Sequence, residues 1–193
     1  MCKIDLYSER EKSYVKYEYF NLFVFVLLLF PKFNLFGLEH SCQNKSYFID
    51  VPFIKQENNY CGAASLAMVF KYWGKNISQY SIADKIYEKS KKGVSSKNLK
   101  SFSEENGFLA FIYKGDLENI KENIKKGRPL IIAMSSNSPT GFHYIVVVGY
   151  NKDSSIILVN NSYSGKLKTI RVKDFIKKWT KSDYWTLLIL PKR

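Results

Sequence analysis

Downstream of residue 42 the chain holds one cysteine, Cys61, and one histidine, His143. A thiol and an imidazole are the minimal equipment of a nucleophilic hydrolase, in which the sulfur attacks a carbonyl and the ring takes and returns the proton. Cys61 opens the run Cys61-Gly62-Ala63-Ala64-Ser65-Leu66-Ala67-Met68, which reads as the first turns of a helix. His143 opens His143-Tyr144-Ile145-Val146-Val147-Val148-Gly149-Tyr150, which reads as a buried strand. A helix N-terminus or a neighbouring imidazolium lowers a thiol pKa, so a lowered thiol pKa is expected for Cys61. Gln56 lies five residues before it on the polar loop Gln56-Glu57-Asn58-Asn59-Tyr60. Its side-chain amide donates without titrating, which suits stabilisation of an oxyanion beside the sulfur. Each residue also has a plainer reading: Cys61 as a small buried hydrophobe, His143 as a core histidine with its hydrogen bonds satisfied, Gln56 as a solvated loop side chain. Ser65 reads as a packing serine rather than a second nucleophile.

The elements that must position these groups fall into two blocks. Gly74 is placed to end the Cys61 helix. Ser81-Ile82-Ala83-Asp84 has capping-box character and predicts a helix to about residue 89. Ser96 to Asn106, stopped by Gly107, predicts a third, and Asp116 caps a fourth that ends at Gly127. The strand candidates are 108–113, 130–134, 143–150, 156–159, 166–171 and 184–190. The later ones are joined by short turns, which imply antiparallel neighbours. Helices first and an antiparallel sheet last make an α+β layout, in which a cysteine on an early helix can face a histidine on a late strand.

A chain of 193 residues with 46% hydrophobic residues fits one domain plus an appendage. The formal charge is +13, and residues 1–42 are balanced, so the excess lies in 43–193. Only Arg10, Arg128, Arg171 and Arg193 are arginine. Specific nucleic-acid readers lean on arginine, so no specific nucleic acid is expected; anionic lipid or envelope polymers are the better use of the charge. Lys3, Arg10, Lys12 and Lys16 precede the apolar run Leu22–Phe30, closed by Pro31-Lys32. That run is shorter than the ~20 residues of a membrane-spanning helix and suits a signal-peptide core or a marginal anchor. Residues 1–42 are therefore expected to be a signal peptide or membrane anchor. Ser41-Cys42 resembles a loose bacterial lipoprotein box, with Glu39 and His40 fitting poorly. A disulfide between Cys42 and Cys61 is the structural alternative for both thiols. Too few cysteines and histidines are present for a zinc set, no Walker-type loop or dinucleotide fingerprint occurs, and no cofactor or metal is expected.

Val51-Pro52-Phe53-Ile54-Lys55-Gln56 followed by Tyr60-Cys61-Gly62-Ala63-Ala64 resembles the nucleophile motif of the bacteriocin-processing, double-glycine-leader cysteine peptidases. The likeness is greater to their stand-alone peptidase C39-like relatives. His143 to Tyr150 is similar to their histidine strand, and Phe175, Trp179 and Tyr184 to Pro191 are similar to their tail, so the resemblance spans about residues 48–191. It implies a papain-like fold with Cys61 as nucleophile, His143 as base, Gln56 as oxyanion donor and Asn161 as the partner of His143. Val159-Asn160-Asn161-Ser162 departs from the family, which usually carries Asp-Pro where Asn161-Ser162 stand. Asparagine can still hold the ring tautomer, as in the Cys-His-Asn papain-like variant. Asn160 is the neighbouring alternative, since alternation sends the two side chains to opposite faces, and both could simply initiate a turn.

Together these readings point to an exported or membrane-tethered bacterial thiol peptidase of the cell envelope, residues 43–193 forming the peptidase domain. It would act on a peptide or protein, with any transporter a separate chain. The alternatives are an inactive papain-like peptide-binding domain and a basic envelope-binding module in which Cys61 is structural.

Overall fold

A computed structural model describes residues 46–151 and 153–192. The expected signal or anchor segment 1–42, with Cys42, lies outside the described residues. No helix among the described residues is long and apolar enough to cross a membrane.

The cysteine helix, α1 (Cys61–Tyr72), is buried continuously from Gly62 to Phe70. Such a helix is apolar all round because it is enclosed on every side. Gly74, at φ +84°, turns the chain out of it. Helix α2 (Gln79–Ile86) starts earlier than the capping-box reading placed it: Ser78 is the cap, its hydroxyl accepting from Ser81 N–H at 3.0 Å. Ser81 is thus the third helical residue, and the helix stops where Tyr87 turns extended. Helices α3 (Ser96–Glu105) and α4 (Leu117–Lys125) lie where expected. Ser95 caps the first and Asp116 the second, Asp116 Oδ1 accepting from Asn119 N–H at 2.8 Å. Helix α5 (Val172–Trp179) was not anticipated, although Val172, Phe175, Ile176 and Trp179 repeat at helical spacing.

The strands are β1 (Tyr47–Phe48), β2 (Tyr87–Glu88), β3 (Gly93–Val94), β4 (Phe108–Lys114), β5 (Leu130–Ser135), β6 (Phe142–Tyr150), β7 (Ile156–Asn161), β8 (Gly165–Arg171) and β9 (Trp185–Pro191). The main sheet runs β4-β9-β5-β6-β7-β8, every pair antiparallel, with β1 added alongside the end of β6. β2 and β3 form a separate small hairpin, unforeseen from sequence.

Alternation along the strands feeds two cores. Ile131, Val146, Val148, Leu187 and Ile189 join Leu66, Met68 and Phe70 of α1 on one face. Leu130, Ile132, Ile145 and Val147 join Ile120 of α4 and Phe175 and Trp179 of α5 on the other. Helices on both faces explain why β5 and β6 read as unbroken apolar runs rather than alternating ones. The helix-and-antiparallel-sheet layout is the α+β class expected.

Candidate active site

The loop into α1 passes Asn59 at φ +60°, and Tyr60 gives the helix no side-chain cap. First-turn N–H groups lack partners within a helix, so here they remain available to the sulfur of Cys61. Gly62 makes the close approach possible: a Cβ there would stand 3.1 Å from Val94 Cβ and 3.2 Å from Tyr144 Cδ2. Ser65, fully buried, donates to Tyr144 O at 3.3 Å and ties the helix to β6; it is a packing serine. Cys61 is a free thiol.

The thiol pKa runs against the sequence expectation. Burial pushes it up, and this outweighs the lowering by the backbone N–H groups of Tyr144, Gly62 and Cys61 itself. Desolvation penalises the charged form more than a few backbone dipoles repay. His143 moves the opposite way: burial lowers its pKa, and the Asn161 hydrogen bond only partly offsets that. Burial therefore opposes the charged form of both groups.

His143 Nε2 lies 2.9 Å from Asn161 Oδ1, and the same oxygen accepts from Tyr163 N–H at 3.0 Å and Ser164 N–H at 3.3 Å. An oxygen taking backbone N–H bonds is the acceptor towards the ring too, so Nε2 carries the proton and Nδ1 is left as the base. The asparagine alternatives are resolved in space. Asn160 is fully buried facing away, donating to Val51 O at 2.9 Å and accepting from Leu167 N–H at 3.0 Å.

Gln56 sits on the extended segment before α1, paired with the turn after β7. Its N–H donates to Ser162 O at 3.0 Å, and the Ser162 hydroxyl donates to Gln56 Oε1 at 2.9 Å. Holding the oxygen end of the amide directs the NH2 end the other way. Gln79 braces the same segment from α2, donating to Lys55 O at 2.8 Å and accepting from Glu57 N–H at 3.1 Å. Neither Ser162 nor Gln79 was picked out from sequence. Ser162 registered only as a missing proline, and nothing in local spacing links Gln79 to residue 56.

Gln56, Cys61 and His143 line one narrow pocket of about 40 Å³, walled by Gly93, Val94, Thr140 and Tyr144. A Cβ on Gly93 would meet Thr140 Cγ2 at 2.7 Å, so β3 and the 136–141 loop touch beside the cysteine. A larger cleft of about 470 Å³ continues on the histidine side, sharing Gln56, Asn59, Ser138, Pro139 and His143 with the first. Among the described residues no group of three or more histidine, cysteine, aspartate or glutamate side chains is gathered to hold a metal.

Cys61 starts a central helix, His143 lies on a facing strand, and Gln56 precedes the cysteine. The Peptidase_C39-like family model fits residues 48–186. The chain belongs to the peptidase C39-like family. Among solved structures, the peptidase domain of Streptococcus ComA, a bi-functional ABC transporter involved in quorum sensing, superposes with a TM-score of 0.63 at 20% identity. That match covers 74% of this chain and 100% of the ComA domain. A protein assigned as a C39-like peptidase from Bacillus anthracis gives 0.62 at 14% identity, covering 77% of this chain and 98% of that one. Bromelain from Ananas comosus, in complex with the inhibitor E64, gives 0.53 at 14% identity, covering 74% of this chain and 94% of that one. The fold of this C39-like protein is therefore papain-like. No curated protein sequence matches the chain.

Proposed function

We propose that this protein is an active thiol peptidase that cleaves peptide bonds through an acyl-enzyme formed on Cys61. The observation that carries the reading is the convergence of Gln56, Cys61 and His143 on one pocket, with Asn161 fixing the ring tautomer. In this mechanism Nδ1 of His143 takes the thiol proton as Sγ forms its bond to the scissile carbonyl carbon. The developing oxyanion is held by the Gln56 NH2 and the Cys61 backbone N–H, which needs no reorganisation at that moment. The imidazolium then protonates the leaving amine as the C–N bond breaks, leaving a thioester. Water, deprotonated by His143, attacks the thioester, releasing the carboxylic acid and restoring the thiol. Burial opposes charge on both groups, which favours a first proton transfer that accompanies attack.

Residues 1–42 are proposed to carry the domain out of the cytoplasm and hold it in a bacterial cell envelope, by lipid on Cys42 or by an uncleaved anchor. The basic residues before Leu22–Phe30 support this reading. The partner is a peptide or protein, and a separate transporter chain would supply any coupled export.

Labelling with an electrophilic peptide, located by mass spectrometry, tests the chemistry: Cys61 is the expected adduct, and the label disappears in His143→Ala. An unlabelled Cys61 in folded protein that still binds peptide would identify an inactive binding domain instead. Fractionation of the wild type and Cys42→Ser tests location, and a cytosolic wild type would overturn the export proposal.

A further inference from the structure

The large cleft has a direction. His143, Asn161 and Tyr163 line it, while Cys61 does not. The leaving amine must meet the histidine that protonates it, so the cleft on the histidine side receives the residues that follow the scissile bond. Its floor is apolar, from Met134, Ile145 and Ile170, and its size lies in the range of ordinary ligand sites, roughly 300–1,000 Å³.

Its charge is one-sided. Among the described lining residues Lys178 is the charged side chain, and no carboxylate faces the cleft. Lys178 lies near the end of α5 and has no ion-pair partner among the described residues. The carboxylates nearest it in sequence are engaged elsewhere, Asp174 with Arg171 at 2.7 Å and Asp183 with Lys114. Ser135, Ser136, Asn137 and Ser138 add neutral polar groups along the rim. An ammonium beside a cleft without a counter-charge attracts a carboxylate, and hydroxyl and amide groups complete its solvation.

We propose that this cleft is a subsite for the leaving segment of the substrate and that Lys178 selects a carboxylate in it. The carboxylate belongs to an aspartate or glutamate shortly after the cleaved bond, or to the C-terminus of a short leaving peptide. This rests on the peptidase reading above and names a substrate feature that the reading leaves open.

Digestion of a synthetic peptide library, with cut sites assigned by mass spectrometry, tests the preference. Cleaved sequences should be enriched for acidic residues after the cut, by roughly three- to tenfold in kcat/KM over glutamine or asparagine. The preference should fall to near unity in Lys178→Ala, reverse in Lys178→Glu and weaken with added salt. Lys177→Glu carries the same charge change on an exposed neighbour that does not line the cleft, and should leave it unchanged. Efficient cleavage without acidic enrichment overturns the subsite while leaving the peptidase reading intact. If no library peptide is cut, protection of Cys61 from iodoacetamide still decides. Amidated triglutamate should slow alkylation more than amidated triglutamine in the wild type but not in Lys178→Glu, and equal protection overturns the proposal. Triglutamine with a free C-terminus, compared with its amide, distinguishes a terminal carboxylate from a side-chain one.

Discussion

Ser162 and Gln56, 106 residues apart, grip each other twice: the serine hydroxyl donates to Gln56 Oε1, and the Gln56 N–H donates to the Ser162 carbonyl. The Gln56 amide, the proposed oxyanion donor, is therefore held in one orientation by the turn that also carries Asn161. Gln56→Ala should lower kcat by on the order of a hundredfold or more with little change in substrate affinity. Ser162→Ala should lower it less, because the amide is released without being lost. The double variant should be no slower than Gln56→Ala alone, since Ser162 acts through the amide. Additive losses, measured by steady-state kinetics, would place Ser162 elsewhere in the mechanism.

The opposed pKa shifts of Cys61 and His143 predict a thiol that needs alkali. Burial raises the thiol above the ~8.5 of a free cysteine, so iodoacetamide alkylation should climb with pH and level off only beyond that value. A preformed thiolate–imidazolium pair would instead give a fast plateau through neutral pH. His143 must be neutral to accept the proton, so the acid limb of kcat/KM should lie below the usual ~6.5 of histidine.

Asn161 and Asn160 separate activity from stability. Asn161→Ala frees the ring and should cost most of the activity. Asn161→Asp should stay active with its acid limb moved to higher pH, because a carboxylate favours the imidazolium. Asn160→Ala strands the buried Val51 carbonyl and takes the acceptor from the Leu167 N–H. It should cost about 1–3 kcal/mol in denaturant unfolding while the folded fraction keeps its turnover.

Gln79→Leu removes both clamps beside Gln56, at Lys55 O and Glu57 N–H. Thermal unfolding should report a loss of about 1–3 kcal/mol. Turnover should fall while alkylation of Cys61 stays near the wild-type rate, because Gln79 supports the amide loop and not the sulfur.

The helices and strands that carry strong local signals were legible. The Asp116 cap, the terminal glycines and the apolar runs of β5 and β6 gave α3, α4 and the central strands within a residue or two, whereas the Ser81 capping reading missed the start of α2. Cys61 and His143 stood out as rare side chains at element edges, and Gln56 through its place five residues before the cysteine. What sequence missed is what depends on distant partners. The β2–β3 hairpin is two residues a side, too short for periodicity, yet its Gly93 walls the cysteine pocket. The choice of Asn161 over Asn160 depends on which face of β7 meets β6. Helix position is readable from a motif, whereas the burial that pushes the Cys61 thiol up arrives from other elements.

β9, the C-terminal strand of the sheet, does not add to its edge; it fills the gap between β4 and β5 and pairs with both. Until Trp185–Pro191 has been made, β4 has no neighbour in the sheet, and the core that backs α1 lacks Leu187 and Ile189. Completion of the packing behind Cys61 thus waits on the last strand of this sheet, because this long-range pairing cannot form before its last partner exists. A nascent chain that lacks Trp185–Pro191 therefore holds Cys61 on a helix whose supporting core is still open.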